Sequence, residues 1–292
     1  MTKLLTTLSA VFLFFSVSTA GTLQKQIRSI LKDKKAMIGV AVLYNGKITV
    51  SVNDDQGYAM LSTFKFPLAL AVCDYLDRQK LPLETEIYVS KADLHPDTYS
   101  PLRDKQPEGD FHISIKELLR YCVSLSDNNA CDILIRYIGG IERLQQYIAD
   151  LGFPDMVIVA TETQMHQQTG NQALNRTRPS AAVLLFEQFL QKKLLSATYQ
   201  DFLEQILIET TTGANKLKGL LPSGTLVGHK TGSSDRNAAG LKIGDNDMGF
   251  VYLPNGNYFV IAVFIMDSME DDDTNASIIA RISRTVYDHY NK

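Results

Sequence analysis

The sequence predicts an α+β protein: a three-layer αβα sandwich on one antiparallel five-stranded sheet, with an all-helical domain to one side. Three observations lead there. Strand-like runs occur only towards the two ends of the chain, the long middle reads as helix, and amphipathic helices flank the strands at both termini. The simplest assembly builds one sheet from both ends, covers it with the terminal helices and inserts the helical middle between them. A cleft at that junction is a natural site.

Each element is justified in turn. Lys3, the apolar run Leu8–Val17 and the small residues Ser18-Thr19-Ala20 have the form of a cleaved export signal over residues 1–20. The run is shorter than the roughly 20 apolar residues a bilayer span needs. The expected location is therefore outside the cytoplasm, in the periplasm. Residues 21–61 begin the α/β domain. Leu23, Ile27, Ile30 and Leu31 recur at helical spacing, and the β-rich runs Met37–Tyr44 and Lys47–Val52 meet at the hairpin dipeptide Asn45-Gly46.

Residues 62–208 form the predicted helical domain. Its segments are Ser62–Gln79, Ser114–Leu125, Asn129–Ile138, Ile141–Leu151, Pro179–Lys193 and Ser196–Glu209. Pro67, near the start of the first, is a candidate kink. The stretch from Ala160 to Arg178 has no clear period, and so long a loop in a compact domain is usually functional. Residues 209–292 complete the α/β domain. Strands are expected at Thr225–Thr231, Met248–Leu253 and Tyr258–Met266, with a last helix at Thr274–Tyr290.

A net charge of −3 and an apolar fraction of 45% are ordinary for a globular protein. No basic stripe or second apolar span appears, so neither a nucleic acid nor a stable membrane partner is expected, and the chain is read as a monomer. Glu270-Asp271-Asp272-Asp273 reads as a solvated helix start, since it lacks the alternation and glycine of a calcium loop. Cys73, Cys122 and Cys131 read as buried small hydrophobes, with a disulfide between two of them left open by export. Neither they nor the five histidines have zinc-site spacing; no metal and no cofactor are called for.

Three short motifs carry chemistry. Ser62 and Lys65, in Ser62-Thr63-Phe64-Lys65, share one helix face, so an amine can approach a hydroxyl. An N-cap serine and an unrelated lysine look the same. Yet the helix is apolar around most of its circumference, and a lysine buried there needs a reason. In Ser126-Asp127-Asn128, Asp127 can cap the next helix and present Ser126 as a proton relay and Asn128 as an amide partner. In Lys230-Thr231-Gly232-Ser233, the lysine can attract a carboxylate and the hydroxyls can bind it, while Gly232 admits a close backbone approach. The backbone N–H groups of Ser62 and Ser233 can form an oxyanion hole. Each motif alone is weak; together they equip a serine to attack an amide-like carbonyl without a catalytic histidine.

This trio is the signature shared by class A β-lactamases and penicillin-binding proteins. The chain resembles class A serine β-lactamases over nearly its whole mature length, most closely the Bacteroides-type cephalosporinases and the PER/VEB-like extended-spectrum branch. Ser126–Ile133, Thr210–Leu221, Gly228–Asn237 and Gln164-Met165-His166 carry that resemblance. It implies hydrolysis of cephalosporins and penicillins, with carbapenems poor substrates. It implies Ser62 as nucleophile, Lys65 and Glu162 as proton-transfer groups and Ser126 as shuttle. It further implies Asn128, Lys230, Thr231, Ser233, Tyr99 and Lys216 as substrate contacts, and His166 as a water-positioning residue. Without the resemblance, Glu162 would read as a solvated loop charge.

The chain also departs from the family. Ala160 stands where most members have an arginine bracing the loop against an aspartate, and Asn175 stands in for that aspartate. Lys216 replaces an arginine found in several relatives, keeping the charge but losing the planar fork. Arg176 replaces a tryptophan usual in close relatives. The rival readings are a penicillin-binding DD-peptidase, which shares the motifs, and a non-catalytic β-lactam sensor domain.

Overall fold

The computed structural model describes residues 21–292; the expected export signal lies outside them. Helix α1 (21–31) leads into β1 (Met37–Tyr44) and β2 (Lys47–Val52). The turn residues Asn45 and Gly46 have φ of 50° and 72°, the left-handed pair that suits a twisted hairpin. Next come β3 (Tyr58–Ala59), a 3₁₀ turn (Leu61–Phe64) and α2 (Lys65–Gln79). The middle of the chain runs through β4 (Glu86–Val89), α3 (Pro101–Lys105), β5 (Phe111–Ser114), α4 (Ile115–Ser124) and α5 (Asn128–Tyr137). It continues with α6 (Ile141–Asp150), α7 (Glu162–Gln167), β6 (Arg176–Thr177), α8 (Pro179–Leu190) and α9 (Ala197–Ile208). The last third supplies β7 (Val227–Ser233), β8 (Lys242–Tyr252), β9 (Tyr258–Ser268) and α10 (Asp272–Tyr290).

The five-stranded sheet has the order β2-β1-β9-β8-β7 and is antiparallel throughout. It is closed by β1 on β9, from Met37↔Met266 to Tyr44↔Phe259, so the two ends of the chain share it. Strand β9 is apolar on both faces, and the period of two sorts its residues. Phe259, Ile261, Val263 and Ile265 join one core with residues of α1 and α10; Val260, Ala262 and Phe264 join the other with residues of α2 and α8. The result is helix, sheet, helix, as the α+β reading expects.

Several local expectations change. Pro67 is the third residue of α2, in the first turn, where backbone N–H groups have no intrahelical acceptor. Its ring removes nothing there, so it is no candidate kink. Strand β8 begins at Lys242, six residues before the expected start. The pairs β3–β6 and β4–β5 were not anticipated. All three cysteines are free thiols in the core. The acidic run does start a helix: Asp271 caps α10, accepting from the Thr274 N–H. No helix among the described residues is long and apolar enough to cross a membrane.

Candidate active site

The site forms where α2, the α4–α5 connection, α7 and β7 converge. Ser62 lies in the 3₁₀ turn and Lys65 begins α2, so the spacing of three sets Oγ beside Nζ. The Lys65 side chain is wholly buried, and its ammonium is a junction. It donates to Ser62 Oγ (3.1 Å), the Ser126 carbonyl (2.8 Å) and Asn128 Oδ1 (2.5 Å), and pairs with Glu162 Oε1 at 2.8 Å. Burial works against its charge, but the Glu162 carboxylate is the chief opposing influence, and the net result is a pKa above lysine's ordinary value. The Ser62 hydroxyl in turn lies 3.5 Å from Glu162 Oε1.

The backbone around Ser62 is strained. Leu61, just before Ser62, has φ of 47°, and Ser126 has φ of 61°. A non-glycine residue held there costs about 1–3 kcal/mol, so its surroundings must over-determine it. Gly232 is one cause. A Cβ built on it would sit 2.6 Å from the Met60 carbonyl oxygen and 3.1 Å from the Ser62 nitrogen, so β7 lies directly on the turn that carries Ser62.

Asp127 caps α5 by accepting from Ala130 N–H (2.8 Å), and also accepts from Leu102 N–H (2.7 Å) and the Ser100 hydroxyl (3.0 Å). That anchoring fixes Ser126 and Asn128 on the cleft side. The Asn128 amide is used at both ends, its Nδ2 donating to Thr98 Oγ1 at 2.7 Å. Lys230 is also wholly buried; it donates to Ser126 Oγ (2.9 Å) and to the Thr231 carbonyl (3.0 Å). Burial first, and the Lys65 charge second, push its pKa down to about 7. Thr231 shares a 2.7 Å hydroxyl contact with Thr212.

Glu162 is 4% exposed, not solvated, and opens the short helix α7. Asp132, thirty residues earlier on α5, caps that helix from outside: it accepts from Glu162 N–H (2.8 Å), Thr163 N–H (2.9 Å) and the Thr163 hydroxyl (2.7 Å). Asn175 closes the neck of the loop. Its Oδ1 accepts from Val159 and Ala160 N–H (2.8 and 2.9 Å), its Nδ2 donates to the Ala160 carbonyl (2.8 Å), and its own carbonyl accepts from Met60 N–H (2.8 Å). A neutral amide thus does by hydrogen bonding what an ion pair would do elsewhere. Arg176 pairs through its backbone with Val157, and its Nε donates to the Ala173 carbonyl. His166 contacts the Glu162 carbonyl through Nδ1 (2.8 Å), which leaves Nε2 as its other polar atom.

These groups surround an open cavity of about 560 Å³. Ser62, Tyr99, Ser126, Asn128, Glu162, His166, Lys216, Thr231 and Ser233 line it; Lys65 and Lys230 lie behind that lining. Lys216, expected as a substrate contact, has its ammonium 2.5 Å from Asp245 Oδ1 and a side chain 9% exposed. Sequence reasoning missed Asp132 and the run Asp245-Asn246-Asp247. The signal available was three consecutive polar residues inside a strand otherwise buried on both faces. Asp247 accepts from Leu217 N–H (3.1 Å) and pairs with His229 Nδ1 (2.9 Å), both side chains fully buried.

A family model described as the β-lactamase enzyme family matches residues 22–290. A β-lactamase of Bacteroides uniformis is 49% identical over 267 residues, covering 91% of this chain and 90% of the relative. β-Lactamase VEB-1 of Pseudomonas aeruginosa is 40% identical over 293 residues, covering 99% and 97%. The crystal structure of a class A β-lactamase representative from Bacteroides cellulosilyticus DSM 14838 superposes with a TM-score of 0.91 at 49% identity, covering 94% of this chain and 98% of that one.

Proposed function

From the premise that the chain belongs to the β-lactamase enzyme family, as a class A serine β-lactamase, we propose that it opens the β-lactam amide through an acyl-enzyme on Ser62 and releases it with water activated by Glu162. The observation that carries this reading is the Lys65 junction, which makes nucleophile, amine and carboxylate contiguous. In the resting state the lysine is paired as an ammonium and has no lone pair for the Ser62 proton. That proton therefore ends on Glu162, directly or after Lys65 has first passed its own proton across the 2.8 Å contact.

Ser62 Oγ bonds to the lactam carbonyl carbon, whose oxygen is held by the backbone N–H groups of Ser62 and Ser233. The ring C–N bond breaks and its nitrogen takes the Ser126 hydroxyl proton, which Lys230 is placed to replenish. Lys230, with Thr231 and Ser233, binds the substrate carboxylate. Asn128 binds the side-chain amide and Tyr99 flanks it. The proton left on Glu162 by acylation first passes by way of Lys65 towards Ser126 and restores Lys230, so that Glu162 is again a carboxylate. It then takes a proton from water, held with help from His166, as the water attacks the ester carbonyl; Ser62 leaves and regains its proton from Glu162. Lys216 has a lesser part, because Asp245 already neutralises it. No resident metal or cofactor enters any step.

The same reading has the chain exported to the periplasm as a monomer, with 21–61 and 209–292 forming an α/β domain around the helical domain 62–208. Cephalosporins are its preferred substrates. The test is turnover of a chromogenic cephalosporin by wild type and Ser62→Ala, with mass mapping of the trapped adduct. Steady turnover abolished by the substitution, and an adduct on the Ser62 peptide, are expected. An adduct elsewhere overturns the assignment, and a stoichiometric burst without turnover favours the peptidase or sensor reading.

A further inference from the structure

We propose that Asn246 is a positioning residue for the nucleophile: its buried amide holds the strained turn that carries Ser62. The inference rests on Ser62 being the nucleophile and goes beyond it to what keeps Ser62 in place. Successive residues of β8 point to opposite faces of the sheet. Asp245 and Asp247 reach the 216–217 segment and His229, whereas Asn246 reaches the opposite way, to the chain entering the nucleophile turn. It is wholly buried. Its Nδ2 donates to the carbonyls of Ala59 (2.8 Å) and Met60 (3.2 Å), and its Oδ1 accepts from Ile265 N–H (3.1 Å).

That last bond replaces a piece of the sheet. The pairing of β8 with β9 runs from Lys242↔Ser268 to Gly244↔Met266 and resumes at Asp247↔Val263. Between these pairs it is the Asn246 side chain that satisfies Ile265. The amide therefore links the sheet ladder to the two residues just before Leu61. Only a side chain with two donors and an acceptor on one plane can do this.

Leu61 is where the link matters. A branched side chain at φ 47° does not stay there unaided. Met60 is gripped from both sides, by Asn175 at its N–H and by Asn246 at its carbonyl. Gly244 completes the fit, since a Cβ there would come within 2.8 Å of the Leu61 side chain. Loss of the amide leaves the Ala59 carbonyl without that donor and the Met60 carbonyl with only its bonds from Thr63 (2.7 Å from the hydroxyl, 3.2 Å from the N–H), lets Leu61 relax towards ordinary φ, and shifts the Ser62 hydroxyl and N–H relative to Lys65 and Glu162. Lys230 and Thr231 are untouched. Binding of substrate should persist while acylation fails.

The experiment measures single-turnover acylation of full-length enzyme by a chromogenic cephalosporin in Asn246→Leu, which keeps the branched shape and removes the polar atoms. Dissociation constants of the same cephalosporin are taken in a Ser62→Ala background with and without Asn246→Leu. Acylation should slow about 10²-fold, the effect of a displacement near 1 Å, with binding unchanged within threefold. Leu61→Gly, which accepts positive φ without strain, should restore acylation at least fivefold in the Asn246→Leu enzyme. A core residue that merely adds stability gives no such rescue. Acylation within threefold of wild type, an equal loss of binding, or no rescue overturns the proposal. If Asn246→Leu does not fold, as judged by circular dichroism, Asn246→Ser, which keeps a single donor, carries the same three readouts. A wild-type adduct on a residue other than Ser62 would instead overturn the underlying reading.

Discussion

Glu162→Gln separates the two half-reactions, and the structure says in which direction. The substitution keeps the shape of a 4% exposed side chain but removes the base and the negative charge 2.8 Å from Lys65. Deacylation loses its general base, worth roughly 10²–10⁴-fold. Acylation is affected differently. Lys65 now has burial, the largest influence on it, without the carboxylate that opposed it, so its pKa falls. A neutral amine at 3.1 Å from Ser62 Oγ can then accept the serine proton. The covalent adduct should therefore form and persist. Stopped-flow turnover of a chromogenic cephalosporin should show a burst close to one equivalent, then a steady rate at least 10²-fold below wild type, with the adduct mass visible throughout. Normal turnover refutes Glu162 as the deacylating base. Failure to acylate refutes the claim that Lys65 can take over.

Other consequences follow from the same geometry. The free-enzyme Lys230 pKa of about 7 means its ammonium is present below that pH and lost above it, so kcat/KM for carboxylate-bearing substrates should fall on the alkaline side of neutrality, and kcat less, because bound carboxylate favours the charged amine; a pH profile flat to pH 10 in kcat/KM refutes this. Lys230→Ala should cost roughly 10²–10³-fold in kcat/KM, whereas Lys216→Ala should cost less than about tenfold, because Asp245 already holds that charge; equal losses would contradict the assignment. His229→Leu strands the buried Asp247 carboxylate, and its loss of roughly 3–5 kcal/mol should lower the melting temperature by roughly 6–20 °C, with His229→Asn, which keeps a donor, closer to wild type.

The parts of the fold that were legible are those whose causes are local. Asn45-Gly46 is a turn signal in its own right, and β9 and the long helices carry enough apolar residues at a regular period to be read alone. The first half of β8 was not legible, because Asp245, Asn246 and Asp247 have poor strand propensity and are stabilised by partners elsewhere in the chain. The two-residue strands β3 and β6 carry no period at all. Their pairing matters nonetheless, because it brings the loop neck at Asn175 against Met60. The site divides the same way. The Ser62–Lys65 pairing and the Asp127 cap follow from spacing. That Glu162 is buried and capped depends on Asp132, and that Lys216 is neutralised depends on Asp245; no local pattern relates either pair.

The distribution of charge explains why this cavity suits a substrate that brings its own carboxylate. Four lysines among the described residues are buried: Lys65, Lys216, Lys230 and Lys242. A buried ammonium is tolerable when an anion lies beside it. Lys65 has Glu162, Lys216 has Asp245, and Lys242 lies between Asp245 and Asp272. Of these four, Lys230 alone makes no ion pair; its acceptors are a hydroxyl and a backbone carbonyl. With Lys65 adding repulsion, its proton is held weakly, near pH 7. Lys230 therefore lacks an anionic partner, immediately behind Ser126 and Thr231. A ligand carboxylate entering there supplies the missing partner, raises the affinity of Lys230 for its proton, and is itself held in an environment that water screens poorly. Binding and protonation are thus linked: near or above pH 7, substrate binding should take up protons. Isothermal titration of Ser62→Ala with a cephalosporin at pH 7.5, in buffers of different ionisation enthalpy, should reveal that uptake. An observed binding heat independent of the buffer would refute the argument.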